Sequence, residues 1–153
     1  VAERFVARSA VFIALRNTDG AVLLHRRANT GFMDGRYDLP SGHVEKNEPV
    51  LRTAVRELKE EAGIAVDESD LRLWHVNQFA ANDQYYYNFF FVVEAWKGVP
   101  AIMEPEKCDD MQFFALDSLP KLTAGSHVAL QQLDKGHVTF GYIDQAVFDE
   151  ISA

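Results

Sequence analysis

The chain has 153 residues, 48% hydrophobic and 25% charged, which predicts one domain with a packed core and excludes disordered, collagen-like and coiled-coil chains. The 15 Lys and Arg residues face 23 Asp and Glu, a formal net charge of -8, so neither a nucleic-acid polymer nor an anionic membrane is an expected partner. A single cysteine, Cys108, excludes an internal disulfide and points to a reducing, cytoplasmic location. No apolar stretch is long enough to cross a bilayer, and Val1-Ala2-Glu3-Arg4 lacks a signal-peptide pattern.

Residues 5 to 16 are β-branched and aromatic enough for a strand, and Asn17-Thr18-Asp19-Gly20 ends it in a strong turn signal. Residues 21 to 26 are expected to return as its hairpin partner. Residues 27 to 43 carry three glycines and one proline without a sustained period and read as a long loop with one short strand. From Asn47 to Ala62 the pattern turns helical: Asn47 or Glu48 can cap, Pro49 suits the first turn, and Gly63 supplies the stop. Leu51, Ala54, Val55, Leu58 and Ala62 form the apolar stripe.

Two strands are predicted at 71 to 80 and 84 to 96, joined around Ala81-Asn82-Asp83. The second is so apolar that a central place in the sheet is expected. A loop over residues 97 to 110 precedes a strand at 111 to 116, which Asp117-Ser118-Leu119-Pro120 ends. A short helix is predicted at 126 to 135, and the tail from 137 to 148 fits either a final strand or an ordered extension. The tyrosine-rich strand could face a core or contribute to a homodimer, which leaves the oligomeric state open.

On the helix, Glu57 and Glu61 lie about 100 and 60 degrees to one side of Leu58, and Glu60 about 160 degrees. Three carboxylates thus share an arc of about 100 degrees beside the buried face. Like charges one turn apart repel, and the last turn of a helix disfavours anions. A hard divalent cation would turn that repulsion into coordination, and Mg²⁺, with Mn²⁺ as its substitute, is the natural candidate. The same spacing also fits a solvated charged face, so it does not decide by itself.

The string from Gly42 to Ile64, GHVEKNEPVLRTAVRELKEEAGI, resembles the Nudix box at every specified position: Gly42, Glu48, Arg56, Glu57, Leu58, Glu60, Glu61, Gly63 and Ile64. Further likeness lies in the segments ALR, DGAVLLHRR, YDLPSGH and KCDDMQFFALDSLP, and covers residues 5 to 120. The resemblance implies an α/β fold, a mixed β-sheet sandwiched between helices with a loop-helix-loop catalytic motif. It also implies a MutT-like hydrolase that directs water onto the diphosphate of a nucleotide or nucleoside diphosphate-linked small molecule.

Carried over by motif, Glu57, Glu60 and Glu61 are the expected metal ligands, with the backbone carbonyl near Ser41 or Gly42 as a further ligand. Glu48 and Arg56 are the ion pair that ties loop to helix. Glu57 is the first candidate for general base and Asp110 its rival, an acid at the start of the late strand that also stands as a further metal ligand. Asp109, Glu106 and Glu104 are its substitutes. Arg26, Arg27, Tyr37, His43 and His127 are candidate substrate contacts, and Phe32 a candidate stacking face.

Ser41-Gly42-His43 stands where the family commonly has Gly-Gly-Lys, which replaces a fixed positive charge by a largely neutral imidazole. The segment 121 to 130, KLTAGSHVAL, lacks the paired aspartates with which one oxidised-purine subgroup reads its base. The expected activity is Mg²⁺-dependent cleavage of nucleoside triphosphates to monophosphate and pyrophosphate. The alternatives are hydrolysis of ADP-ribose or a similar derivative, and nucleotide binding without hydrolysis in a regulatory protein.

Overall fold

A strand that is apolar on both faces belongs inside a sheet covered on both sides. Residues Arg8–Leu15 (β1) make such a strand, with Val11, Ile13 and Leu15 packed in one core cluster and Phe12 and Ala14 in another. The computed structural model describes residues 2–153. After β1 follow β2 (Val22–Arg27), β3 (Tyr37–Asp38), β4 (Ser41–His43), α1 (Val50–Ala62), β5 (Arg72–Ala81) and β6 (Gln84–Val93). The chain continues through β7 (Cys108–Phe114), α2 (Ala124–Leu130), β8 (Thr139–Ile143) and α3 (Gln145–Ser152). A mixed five-stranded sheet runs in the order β4-β1-β6-β5-β8, and a second, antiparallel sheet in the order β3-β2-β7.

The expected mixed α/β sheet between helices is present. Ala54, Leu58 and Ala62 of α1 cover one face of the larger sheet, where they meet Ile13, Phe91 and Val93. Ala129, Leu130 and the following Leu133 cover the other, with Trp74, Phe90 and Val92. β6 is central, flanked by β1 and β5 as its apolar run predicts. Both Asn82 and Asp83 have positive φ, so a two-residue turn closes the β5–β6 hairpin.

The predicted β1–β2 hairpin does not form. After a single bridge between Arg16 and Val22 the strands part into different sheets, with β1 beside β4 and β6 and β2 between β3 and β7. A strand buried on both faces gains more as a sheet interior than as half of a local hairpin, and Val22, Leu23 and Leu24 then plug both core clusters from the neighbouring sheet. The long segment after β2 holds two short strands where one was expected, one for each sheet.

Helix α1 is entered through Pro49, not capped by Asn47 or Glu48: Pro49 occupies the N-cap without a side-chain hydrogen bond, and Asn47 turns the chain with φ 64. Glu48 is engaged elsewhere, as described below. The buried stripe is also rotated from the one expected, because Thr53 is fully buried while Leu51 is exposed. At the other end Gly63 adopts φ 69, the left-handed conformation that lets its amide bond back to Lys59. The loop after β6 then folds over this end, with Ala101 N–H donating to Ala62 O at 3.1 Å and Met103 N–H to Glu61 O at 3.3 Å.

The late strand starts at Cys108, earlier than its predicted start at 111, so Asp109 and Asp110 lie within β7. α2 is shorter and earlier than predicted, and the tail resolves into β8 and an additional helix, α3, capped by Asp144 accepting from Val147 N–H. No helix among the described residues is long and apolar enough to cross a membrane.

Candidate active site

A cleft of about 900 Å³ opens across the α2-side face of the larger sheet, bounded at one edge by β4 and α1. That size is within the ordinary range of small-molecule sites. Its acidic end is lined by Ser41, Gly42, His43, Glu57, Glu60 and Glu61. The helical spacing delivers the carboxylates, and β4 delivers the backbone that faces them. A Cβ at Gly42 would stand 1.9 Å from Cδ of Glu57, so only glycine lets this carboxylate rest against β4.

The three glutamates differ in environment. The side chains of Glu57 and Glu61 are 13% and 15% exposed, whereas Glu60 is 52% exposed. Burial pushes the Glu57 carboxyl above its ordinary value, against the opposing pull of Arg56. Burial pushes Glu61 well above the usual carboxylate range; its Oε2 accepts one hydrogen bond, from Ser41 N–H at 3.1 Å. Nearby, His25 presents a buried Nε2 with no hydrogen-bond partner, 3.8 Å from Glu61 Oε2 and beyond bonding reach. Burial also lowers the His25 pKa.

Arg56 gathers the loop onto the helix. Its Nε and Nη2 donate to the two oxygens of Glu48 at 2.7 and 3.0 Å, Nη2 also to His43 O at 3.1 Å, and Nη1 to Glu57 at 2.8 Å and Glu60 at 3.3 Å. Glu48 Oε1 additionally accepts from Thr53 Oγ1 at 2.7 Å and Glu45 N–H at 3.1 Å. These donors, Arg56 foremost, hold the Glu48 carboxyl down to about 2. The predicted ion pair is therefore present as a bidentate clamp.

The donor set suits a hard cation: three carboxylates and the β4 backbone, all oxygen, with Glu61 held in low-dielectric surroundings by one N–H. Among the described residues no three acidic, histidine or cysteine side chains are drawn into metal-holding geometry. Arg56 takes oxygens of Glu57 and Glu60 instead.

Several predicted contacts are not brought to the cleft. Asp110 accepts from Tyr37 OH and from Gln112 Nε2 at 2.8 Å, and these bonds, Tyr37 first, lower its pKa. Arg26 pairs with Asp109 at 2.7 Å and lies over the Tyr37 ring. None of Asp110, Tyr37 and Arg26 lines the cleft, since successive strand residues point to opposite faces and the cleft takes His25, Arg27, Asp38 and Cys108 from these strands. His127 lines a separate, smaller cavity and bonds Gln131.

Arg27 does line the cleft, but its guanidinium is spent on the adjoining loop, on Phe32 O at 2.7 Å and Thr30 Oγ1 at 2.9 Å. Phe32 lines the cleft beneath it. Of the acids offered as substitutes for Asp110, Glu104 reaches the cleft.

Other residues escaped sequence reasoning. Asp38 is buried, with Oδ1 accepting from Thr123 Oγ1 at 2.9 Å and Ser126 Oγ at 2.6 Å, which joins β3 to α2. Asn88, in the middle of the cleft wall, interrupts the apolar run Tyr85–Val93, and a buried amide in such a run was the available signal.

Residues 6–133 match the NUDIX domain family. The chain belongs to this family. Family membership makes it a hydrolase acting on a phosphoric anhydride bond. Over 104 residues it is 28% identical to the 8-oxo-dGTP diphosphatase of Escherichia coli (strain K12), covering 68% of this chain and 79% of that one. It is 27% identical over 101 residues to the NAD-capped RNA hydrolase NudC of Stutzerimonas stutzeri (strain A1501), of which it spans 34%. A MutT NUDIX hydrolase from Burkholderia pseudomallei has a similar structure, with a TM-score of 0.78 and 32% identity over 84% of this chain and 99% of that one. A MutT protein from Methanosarcina mazei Go1, 20% identical over 88% and 97% of the two chains, shares the fold with a TM-score of 0.71.

Proposed function

We propose that this NUDIX hydrolase is a Mg²⁺-dependent nucleotide pyrophosphohydrolase that cleaves nucleoside triphosphates to monophosphate and pyrophosphate. The observation that carries the reading is the pair of half-sequestered carboxylates, Glu57 and Glu61, held against the glycine backbone of β4 at one end of a nucleotide-sized cleft. The relatives named for diphosphatase and MutT activity support the triphosphate over other anhydrides.

Glu57, Glu60 and Glu61, with the Ser41 carbonyl, would hold the cation, and Glu104 replaces Asp110 as the later-loop acid on the cleft. The bound cation would supply positive charge to the bridging and terminal phosphate oxygens and a more acidic water. Glu57 is the residue to take the proton from the attacking water, because burial has raised its basicity while Arg56 keeps it oriented. Glu48 and Arg56 fix the β4-to-helix loop, and His43 on β4 with Lys107 at the cleft rim would meet phosphate oxygens. A cytoplasmic setting accords with Cys108 as a buried, free thiol.

The test is product-resolved hydrolysis of canonical and oxidised triphosphates, ADP-ribose, dinucleoside polyphosphates and nucleotide sugars, with Mg²⁺, Mn²⁺ or EDTA. Release of monophosphate and pyrophosphate from triphosphates, abolished by EDTA, is the expected result. Selective cleavage of ADP-ribose would move the function to diphosphate derivatives. Tight nucleotide binding without turnover would make the protein a regulator.

A further inference from the structure

The cleft continues beyond its acidic end along one row of the sheet. Across β4, β1, β6, β5 and β8 the register places His43, Ala10, Asn88, Asn77 and Gly141 side by side on the same face. Two strand spacings set Asn88 about 10 Å from His43. Phe12 and Phe79 line the cleft near it, as do Thr123 and Gly125.

Two asparagines buried in apolar strands are costly unless they are bonded, and these are bonded in series. Asn77 Nδ2 donates to Gly125 O at 3.4 Å, which turns Asn77 Oδ1 toward β6, and Asn88 Nδ2 donates to that oxygen at 3.0 Å. The carbonyl of Gly125 thereby fixes which end of each amide faces where. Asn77 is fully buried and Asn88 is 6% exposed, on the cleft. With one Nδ2 hydrogen held by Asn77, Asn88 offers Oδ1, an acceptor that bonds no described protein donor, to whatever occupies this part of the cleft.

We infer that Asn88, oriented by Asn77 and Gly125, is the base-reading residue of this enzyme and selects nucleotides whose base offers an exocyclic amino group. This inference rests on the triphosphate reading, which sets the phosphates at the glutamates and the base toward Phe12 and Phe79. Guanine, adenine and cytosine each present an amino hydrogen that an oriented carbonyl can accept. Thymine and uracil offer one N–H between two carbonyl oxygens, and those oxygens would face Asn88 Oδ1 with like partial charge. A site built to accept a hydrogen bond rejects a ligand that leaves it unpaired.

The experiment compares kcat/KM for dGTP, dATP, dCTP and dTTP in the wild type, in Asn88→Leu and in the double variant Asn77→Leu/Asn88→Leu. The double variant removes both polar partners and leaves neither amide stranded, so it keeps the test open if the single variant fails to fold. The expected result is a wild-type preference of about 10-fold or more for each amino-bearing base over thymine. In either folded variant that preference collapses through KM, which rises for the amino-bearing bases and falls for dTTP, while kcat changes little. A wild type indifferent to the base, or a preference that survives in the folded variants, overturns the proposal.

A second measurement is independent of turnover. In metal-free ¹⁵N spectra of the wild type, the Asn88 side-chain amide signals should shift with dGMP, dAMP and dCMP at concentrations where dTMP leaves them in place. Absence of that difference also overturns the proposal. If no triphosphate were hydrolysed, the pyrophosphohydrolase reading would fail on its own, and these spectra would still decide the role of Asn88.

Discussion

Glu57 and Gly42 occupy the same few ångströms, and each can be removed separately. Glu57→Gln keeps the volume and removes the charge, so the fold should persist while Mg²⁺-dependent turnover falls by about 100-fold or more. Unchanged steady-state rates would take the proton-accepting role away from it. Gly42→Ala acts from the other side: the new methyl meets the far end of a flexible side chain, so Glu57 must swing away. The expected outcome is a loss of kcat with a melting temperature close to the wild type, read by calorimetry alongside kinetics.

Glu61 and Glu48 respond to pH in opposite senses. The Glu61 carboxyl is raised by burial, so the folded chain retains a proton that the unfolded chain releases above its ordinary value of 4.5. Stability from the neutral carboxyl is full below that value and is lost as pH rises through the folded pKa. Without metal, Glu61→Gln should therefore melt higher than the wild type at pH 8, with the two curves converging near pH 4. For Glu48, lowered to about 2 by Arg56, stability is full above 4.5 and is lost as pH falls.

The carboxylate trio is legible in sequence because helix spacing fixes it locally, whereas the Arg56–Glu48 clamp, with Glu48 ahead of the helix, follows only from the resemblance to the family. Asp110, Tyr37 and Arg26 do not line the cleft because strand parity decides which face a residue takes: Arg26 pairs with Tyr37 on β3 and with Asp110 on β7, a strand that starts at Cys108 in place of Met111. Adjacent residues then differ in fate: Arg27 reaches the cleft and Arg26 does not.

Among the elements, the β5–β6 hairpin and α1 were readable from turn chemistry and period, and the β1–β2 pairing was not. A turn signal says where a chain reverses. It does not say whether the flanking strands stay together, which depends on partners far away in sequence such as β6. The hairpin that does form has room for improvement, since Asp83 holds φ 57 without being glycine. Asp83→Gly should raise stability by about 0.5 kcal/mol, measured by urea unfolding with an unchanged slope. A fall in stability would mean that the Asp83 side chain contributes more than its backbone costs.

For the whole molecule, the cleft is a joint product of both sheets and all three helices. The last helix has a part in it although it touches no glutamate. Phe148 of α3 packs against Phe32 and Phe79, with ring centroids 6.3 and 5.6 Å away, and those two rings line the cleft. Gln145 clamps Asn82 at the cleft mouth through bonds of 2.7 and 2.9 Å. Phe148→Leu should therefore raise KM for nucleotides by several-fold and leave kcat in place. An equal loss in kcat would extend its influence to the chemistry.

The stretch matched to the family ends at residue 133, ahead of both β8 and α3. The acidic end of the cleft thus belongs to inherited common ground, whereas the support behind Phe32 and Phe79 comes from chain outside it. Asn77, Asn88 and Gly125 stay inside the matched stretch, so the tail contributes backing for the cleft wall rather than its base-reading or hydrolytic groups. Exchanging this tail should therefore loosen the grip on every nucleotide alike, with the order of preference among bases retained.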